Sequence, residues 1–402
     1  MAKPIRRHAL FMQYTNPAGY PPLEHAMGVL LAAGWTMHCL GVNEAGGAST
    51  LALPTHPNLI LETLRRPPPG LRQKLQFVAF CIRALWQLLR QRPSLVYASD
   101  PMASPAALAA VLLSVPTVVY HEHDAPGSNT SGFAAFIQRL RNAICRRASW
   151  VVVPNRGRAR DLIANTGAQE SRVLTVFNCP SRSESTLVSH TFSEMAKDKP
   201  FWLYFHGSIV PDRLPLAVVD ALALLPDAVC LRIAGYETVG SVGYTERIKG
   251  RARELGIAHR IEAVGAIPDR SSLLALARAS HLGLALMPMQ SDDINMRHMV
   301  GASNKPFDYL ACGCPLVVSD LADWKQMYVA AGLASACDPT SAESIAAAVR
   351  YWLASDKRYR EAQQAGLARI AADWNYEAQF APLLQRIEAS FDAESPATGS
   401  MQ

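Results

Sequence analysis

Asn304, Lys305 and Asp308 carry an amide, a cation and a carboxylate within one helical turn. Their spacing of three and four residues puts all three on one face of a helix. Around them the sequence predicts a complete unit. Ser303 or Asn304 can cap the helix start, and Pro306 fits its first turn. Gly313 and Pro315 stop it, and residues 316–318 read as a short buried strand. Such a unit sets a helix N-terminus beside the carboxyl end of a strand, where free N–H groups can receive phosphate oxygens. A carboxylate nearby could hold ribose hydroxyls. A capped surface helix with an incidental Lys–Asp pair fits the same spacing.

A second cluster, His121-Glu122-His123-Asp124, directly follows the β-branched run 117–120. Open α/β sheets bind ligands at the carboxyl ends of their strands, so four ionisable residues there read as a site. The two-residue spacing of His121 and His123 suits a strand or loop rather than a metal-binding helix. No third ligand accompanies them, so no metal is expected. Arg156, Arg158 and Arg160 follow as a basic cluster, either facing an anion or simply solvated.

The surrounding elements alternate. Strands are expected at 9–12, 35–41, 59–64, 94–100, 117–120, 150–153 and 172–177, with helices at 22–33, 71–91, 104–113 and 132–147. The loop 13–20 holds Gly19 but no Gly-x-Gly-x-x-Gly run, so a tight dinucleotide clamp is not expected. The pattern restarts at 202–205, followed by His206-Gly207-Ser208 and Arg213. Further strands fall at 229–235, 261–264 and 282–287, and helices at 215–225, 271–279, 341–354 and 356–372. This repetition predicts an α/β chain of two domains with parallel sheets. The boundaries read as a first domain at 1–180, a linker at 181–199 and a second domain at 200–373. A last helix follows at 374–389, then a tail at 390–402. The helix at 71–91 is amphipathic and basic. It suits either a sheet-covering role with solvated arginines or an anionic membrane surface.

With 402 residues, half of them hydrophobic and 18% charged, the chain can bury two cores. Thirty-nine Lys and Arg against 33 Asp and Glu leave a formal charge of +6, which suits anionic partners such as nucleotide sugars or acidic lipids. No nucleic-acid motif or aromatic ladder is present, so nucleic acid is not an expected partner. Eight cysteines form no CxxC pair, which reads as buried thiols in a reducing compartment. The first apolar run is too short for a signal peptide, and no run of 18 uncharged apolar residues could span a membrane. A cytoplasmic protein is expected, with peripheral docking on the inner membrane face left open.

The run Lys305-Pro306-Phe307-Asp308-Tyr309-Leu310-Ala311-Cys312-Gly313-Cys314-Pro315 resembles the C-terminal signature of retaining glycosyltransferases of family 4. That resemblance implies the GT-B fold, two Rossmann-like domains facing a central cleft. It gives Asp308 the ribose of the donor. The acidic position that usually precedes it falls on Val300, which cannot contact a sugar in that way. The phosphate loop of the family maps onto Gly207, onto Ser208 in place of an arginine, and onto Arg213 in place of a lysine. The resemblance sets Gly19 beside the donor phosphates, lets the loop containing Ile267 offer backbone groups to the nucleobase, and places His123-Asp124 against the donor sugar. Ser303, Asn304 and Lys305 complete the expected donor site, with His123, Asp124, Arg213 and Lys305 as the catalytic set. The implied reaction is transfer of a hexosyl group, with retention, from a UDP-, GDP- or ADP-sugar to a hydroxyl of a saccharide, lipid-linked or small-molecule acceptor, with no cofactor. A non-hydrolysing nucleotide-sugar epimerase and a non-catalytic nucleotide-sugar-binding protein are the alternatives.

Overall fold

The computed structural model describes residues 7–43, 49–68, 70–127, 131–185 and 200–392. They form two units. The first holds Leu53–Phe177, most of the chain before it, and the C-terminal segment from Tyr376 onward; the second holds Asn178–Asn375. A short stretch ending at Ala52 groups with the second unit, where Ala52 N donates to Pro268 O at 3.2 Å. The sequence reading had kept that stretch in the first domain.

The first unit is built on a seven-stranded sheet. Its strands are β1 (His8–Gln13), β2 (Thr36–Val42), β3 (Leu59–Leu64), β4 (Leu95–Ser99), β5 (Thr117–His121), β6 (Trp150–Val153) and β7 (Val173–Thr175), in the order β3-β2-β1-β4-β5-β6-β7. Every pairing is parallel. Apolar cores cover both faces. Leu10 and Met12 of β1 enter one core, while Ala9 and Phe11 enter the other, as the two-residue period of a strand requires. The helix Tyr376–Asp392 packs into the second of these cores through Tyr376, Phe380, Leu383 and Ile387. It runs three residues past the end expected from the sequence.

The second unit has a six-stranded parallel sheet, formed by β8 (Phe201–Ile209), β9 (Val229–Glu237), β10 (Ile261–Gly265), β11 (Leu282–Ala285), β12 (Leu316–Ser319) and β13 (Ala334–Cys337). The order is β10-β9-β8-β11-β12-β13. Strand β13 escaped the sequence reading; its residues Ala-Ser-Ala-Cys carry neither branched nor aromatic side chains. Most of the expected linker lies outside the described residues, but Arg182–Glu184 forms a 3-10 turn closed by a Ser181–Glu184 capping box. In both sheets strand order reverses beside the first strand, between β1 and β4 and between β8 and β11. Those reversals are where ligands enter open α/β sheets. All eight cysteines are free thiols, and seven of them are buried.

Candidate functional site

In the first unit three strand ends meet at the reversal. β1 ends in Gln13, β4 runs into Asp100, and β5 ends in His121. Asp100 ties them together from a left-handed backbone, φ 65°, a conformation that costs a non-glycine residue roughly 1–3 kcal/mol. Its N–H donates to His121 O at 2.9 Å. Its Oδ1 accepts from the N–H groups of His123 and Asp124, at 2.8 and 3.4 Å, and its Oδ2 accepts from Gln13 Nε2 at 3.1 Å. Burial first, and the Asp124 charge second, push the Asp100 carboxyl up to about 7.

This brace presents His123. The imidazole is 6% exposed, and its centroid lies 4.0 Å from the His121 ring and 5.2 Å from the Tyr20 ring. Neither ring nitrogen has a hydrogen-bond partner among the described residues. Gln13 Oε1, Ser99 Oγ, Ser104 Oγ and His121 Nε2, on the same strand ends and the helix after β4, are buried and unpartnered too. Burial, then the nearby Arg158, drives His123 down to about 3, so it is neutral at physiological pH. Arg158 Nη1 also donates to His123 O and lies 3.4 Å from Asp124 Oδ1. The Asp124 side chain is mostly exposed.

Of the other residues in that cluster, His121 Nδ1 pairs with Tyr97 OH at 2.7 Å. Glu122 is held in a buried two-pronged pair by Arg141, at 2.6 and 2.5 Å. Gly19 lies in the 3-10 turn Pro17–Gly19, and its N–H donates to Asn16 O at 3.0 Å. That amide is therefore engaged within the turn, which counts against the phosphate contact expected of it.

In the second unit, Tyr309 fixes the signature helix, Lys305–Ala311, to the sheet. Its side chain packs on Gly283 of β11, where any Cβ would come within 2.1 Å of it. Its hydroxyl accepts the N–H of His206, at the exit of β8, at 3.1 Å. One side chain thus registers the helix carrying Lys305 against the strand end carrying Gly207. Gly207 has φ +104°, and a Cβ there would sit 3.3 Å from both Cε and Nζ of Lys305. Across the pairing, Gly235 leaves room for the Gly207 carbonyl, which a Cβ would meet at 1.8 Å. The two glycines are therefore fixed by sterics.

Lys305 is 4% exposed and donates to no carboxylate; Nζ makes no hydrogen bond among the described residues and lies 5.5 Å from the Phe205 ring centroid. Burial, then the Arg213 charge, bring it down to about 7, against the pull of Asp308. Arg213 is half-buried in the turn after β8, with Nη2 3.7 Å from Met296 Sδ. Ser208 sits within β8 opposite Tyr236. Ser303 is buried, and its hydroxyl has no partner among the described residues. Ile267 lies half-buried in the loop after β10.

Two expectations for this helix change. Neither Ser303 nor Asn304 caps it with a side chain; Asn304 Nδ2 donates to Asp308 Oδ2 at 2.7 Å instead. Asp308, expected at the ribose, is already engaged by protein groups. Its carboxylate is wholly enclosed, accepting from Arg270 Nη2 at 2.9 Å, with His206 Nε2 3.4 Å away. A ribose hydroxyl would have to displace Arg270 or Asn304. Arg270 bridges onward to Glu184 at 2.6 and 3.1 Å. Burial alone would weaken the guanidinium's hold on its proton, but Asp308 and Glu184 more than offset it and strengthen that hold.

Asp100, Gln13, His206 and Arg270, which hold the candidate residues in place, were not picked out in the sequence reading. A signal existed for Asp100, a carboxylate at a strand end one strand from the histidine cluster. None existed for Arg270, whose partners lie 86 and 38 residues away in sequence. Among the described residues no group of three or more His, Cys, Asp or Glu could hold a metal ion.

Comparison with known proteins identifies the architecture. The sequence pattern described as Glycosyltransferase Family 4 matches residues 30–179, and that described as Glycosyl transferase-like matches residues 217–385. No curated protein matches the chain in sequence. Among solved structures, sucrose-phosphate synthase from Thermosynechococcus elongatus superposes with a TM-score of 0.72 at 18% identity, covering 97% of this chain and 100% of its own. HepE of Anabaena, solved with UDP and glucose, gives 0.71 at 16% identity, covering 96% and 100%. WaaG, a glycosyltransferase involved in lipopolysaccharide biosynthesis, gives 0.59 at 13% identity, covering 97% and 100%. At these identities the superpositions establish the fold. Glycosyltransferase patterns on both halves, laid over two parallel-sheet units of that architecture, place the chain among the glycosyltransferases of the GT-B fold.

Proposed function

We propose that this glycosyltransferase is a family 4-type hexosyltransferase that moves a sugar, with retention, from a nucleotide-sugar donor to an acceptor hydroxyl. The observation that carries the reading is Lys305, a buried cation without a hydrogen-bond partner beside Arg213 and a glycine cleared of side chain. A largely buried ammonium that makes no hydrogen bond and lies beside a second cation is costly, and a diphosphate would offset that cost. Arg213 adds a forked donor to the same anion. HepE, solved with UDP and glucose, makes a UDP-sugar the first donor to test.

The chemistry follows from where charge appears. As the bond from the anomeric carbon to the diphosphate oxygen breaks, the leaving group gains negative charge, which Lys305 and Arg213 stabilise. The acceptor oxygen bonds to that carbon on the same face, and its proton passes to an oxygen of the departing diphosphate. Neutral His123 hydrogen-bonds a hydroxyl of the transferred sugar, because an imidazole without its proton both donates and accepts. Asp124 shapes the loop that carries it. Ser303, through its unpartnered hydroxyl, and the backbone around Ile267 complete donor recognition. The acceptor is a saccharide, lipid-linked or small-molecule hydroxyl, reached in the cytoplasm at the inner membrane face.

The test is a panel of labelled nucleotide sugars assayed for hydrolysis and transfer, with the anomeric configuration of the product read by NMR. Transfer with retention is the expected result. Epimerised donor would replace this reading with the epimerase. Binding without any product would leave a nucleotide-sugar-binding protein.

A further inference from the structure

The helix Leu71–Gln91 has two apolar faces, and only one of them is used by the fold. Phe77, Phe80, Ala84 and Leu88 enter the core of the first unit. On the opposite side Leu71, Leu75, Val78, Ile82, Trp86 and Leu89 recur at three- and four-residue steps and are each 41–72% exposed. A continuous apolar stripe of that length on a helix surface signals a partner. Two more apolar side chains are exposed on the helix that follows β5. Phe133 and Phe136 are about half exposed, and Phe133 packs edge-on against Phe77 at 5.3 Å.

The charges around the stripe identify the partner. No Asp or Glu occurs between Glu62 and Asp100, whereas seven Lys and Arg do. By helical position Arg72, Arg83 and Arg90 flank one edge of the stripe, and Lys74 flanks the other. The Trp86 ring lies under two guanidinium groups, those of Arg83 at 4.1 Å and Arg90 at 5.0 Å. No helix among the described residues is long and apolar enough to cross a membrane. An apolar stripe edged by cations, with a tryptophan at the boundary, has the build of a helix lying in a bilayer interface.

We propose that this face docks the protein on an anionic lipid bilayer. Leu75 and Ile82 enter the acyl boundary, and Arg72 and Arg90 pair with lipid phosphates, while Arg83 is held by Glu62. A second copy of the chain is a poorer occupant, because the face would present Arg72, Lys74 and Arg90 to the same cations, and the neighbouring Glu62 carboxylate is already taken up by Arg83, His38 and Gln87. The inference deepens the membrane-side part of the proposed function, yet it stands on residues apart from the candidate site.

Cosedimentation with vesicles of equal phosphatidylglycerol and phosphatidylcholine, against vesicles of phosphatidylcholine alone, is the test. The full chain should bind the anionic vesicles at low salt and bind less as salt rises. The double variant Leu75→Glu/Ile82→Glu should lower that partition by about tenfold or more, since it removes apolar burial and adds repulsion. Should that variant misfold, Arg72→Gln/Arg90→Gln should remove much of the salt-sensitive part. UDP affinity, measured by calorimetry, should stay at the parent value in both. Equal binding to both vesicle types, no binding at low salt, or variants that bind as the parent does would overturn the proposal. So would a dimer in lipid-free solution that Leu75→Glu/Ile82→Glu converts to monomer, which would assign the face to a second copy. Vesicle binding without nucleotide binding or transfer would instead sink the proposed function and leave this inference standing.

Discussion

Both units build their candidate sites where a parallel sheet reverses its strand order, and both place a carboxylate and a basic nitrogen there. The carboxylates serve the fold. Asp100 accepts the backbone N–H groups of His123 and Asp124, and Asp308 accepts Arg270 and Asn304. The nitrogens are left over. His123 keeps both ring nitrogens unpartnered and is driven neutral; Lys305 keeps its ammonium without a hydrogen bond and next to another cation. Folded proteins satisfy nearly all of their buried polar groups, so an unsatisfied one at a strand end points to a ligand. The two sites differ in what they can satisfy. A neutral imidazole suits a hydroxyl, and a cation pair suits an anion.

The sharpest way to break this contrast is Lys305→Ala. Transfer should fall by roughly 1000-fold or more, because the residue faces charge that grows in the transition state. Diphosphate affinity should fall as well, by about 1.5–3 kcal/mol for one charge-assisted contact. Free nucleoside should bind almost as before. Calorimetry with both ligands decides: equal losses would mean that Lys305 supports the fold rather than the phosphates.

Asp308→Ala probes the internal carboxylate. Removing one member of a buried ionic network should cost roughly 3–5 kcal/mol of stability, measured by urea unfolding. Once unfolded protein is accounted for, diphosphate affinity should change less than in Lys305→Ala. A stable variant with lost nucleoside affinity would return Asp308 to the ribose role that the sequence first suggested.

Asp308 shows what a sequence can and cannot expose. Strand and helix periods lay in the chain itself, so the helix Leu71–Gln91 was read to the residue and the two-sheet architecture was legible. Lys305 and His123 stood out as candidates in the sequence because each sits in a local constellation of unusual types. The engagement of Asp308 was not, because Arg270 and Glu184 reach it from distant parts of the sequence. Spacing on one helix face brought Asn304 and Asp308 together correctly, but it could not say whether that face looked inward. The outer stripe of the helix Leu71–Gln91 was ambiguous for a related reason. Its amphipathicity suited either packing or a membrane until exposure separated its two faces.

His123→Ala tests the other half of the contrast. Transfer should drop roughly 10- to 1000-fold if the sugar contact strengthens as glycosyl charge develops. Diphosphate affinity should hold, since that ligand lacks the sugar. Near-normal turnover in a folded variant would refute the sugar contact, whereas a parallel loss of diphosphate binding would make His123 structural.

The smallest effect separates the sites by the sign of their pH dependence. Burial and Asp124 raise Asp100 from 3.8 to about 7, so between those values the folded chain holds a proton that the unfolded chain has lost. Its contribution is full below the unfolded value, and stability falls as pH climbs toward 7. Lys305 works in the opposite direction. Burial and Arg213 lower it from 10.5 to about 7, so above 7 the unfolded chain holds the extra proton and stability rises with pH. Urea unfolding between about pH 5 and 9 should therefore show two separable slopes, each worth about 1–2 kcal/mol. Asp100→Asn should flatten the descent below 7 and leave the ascent. Lys305→Met should flatten the ascent and leave the descent. Saturating diphosphate should act on one slope only. An anion against Lys305 favours its charged form, raises its pKa in the folded state and so erases the ascent, while Asp100 goes on titrating as before. If diphosphate instead flattened the descent, the anion would be meeting the strand ends of the first unit, and the assignment of imidazole to sugar and cations to phosphate would have to be exchanged.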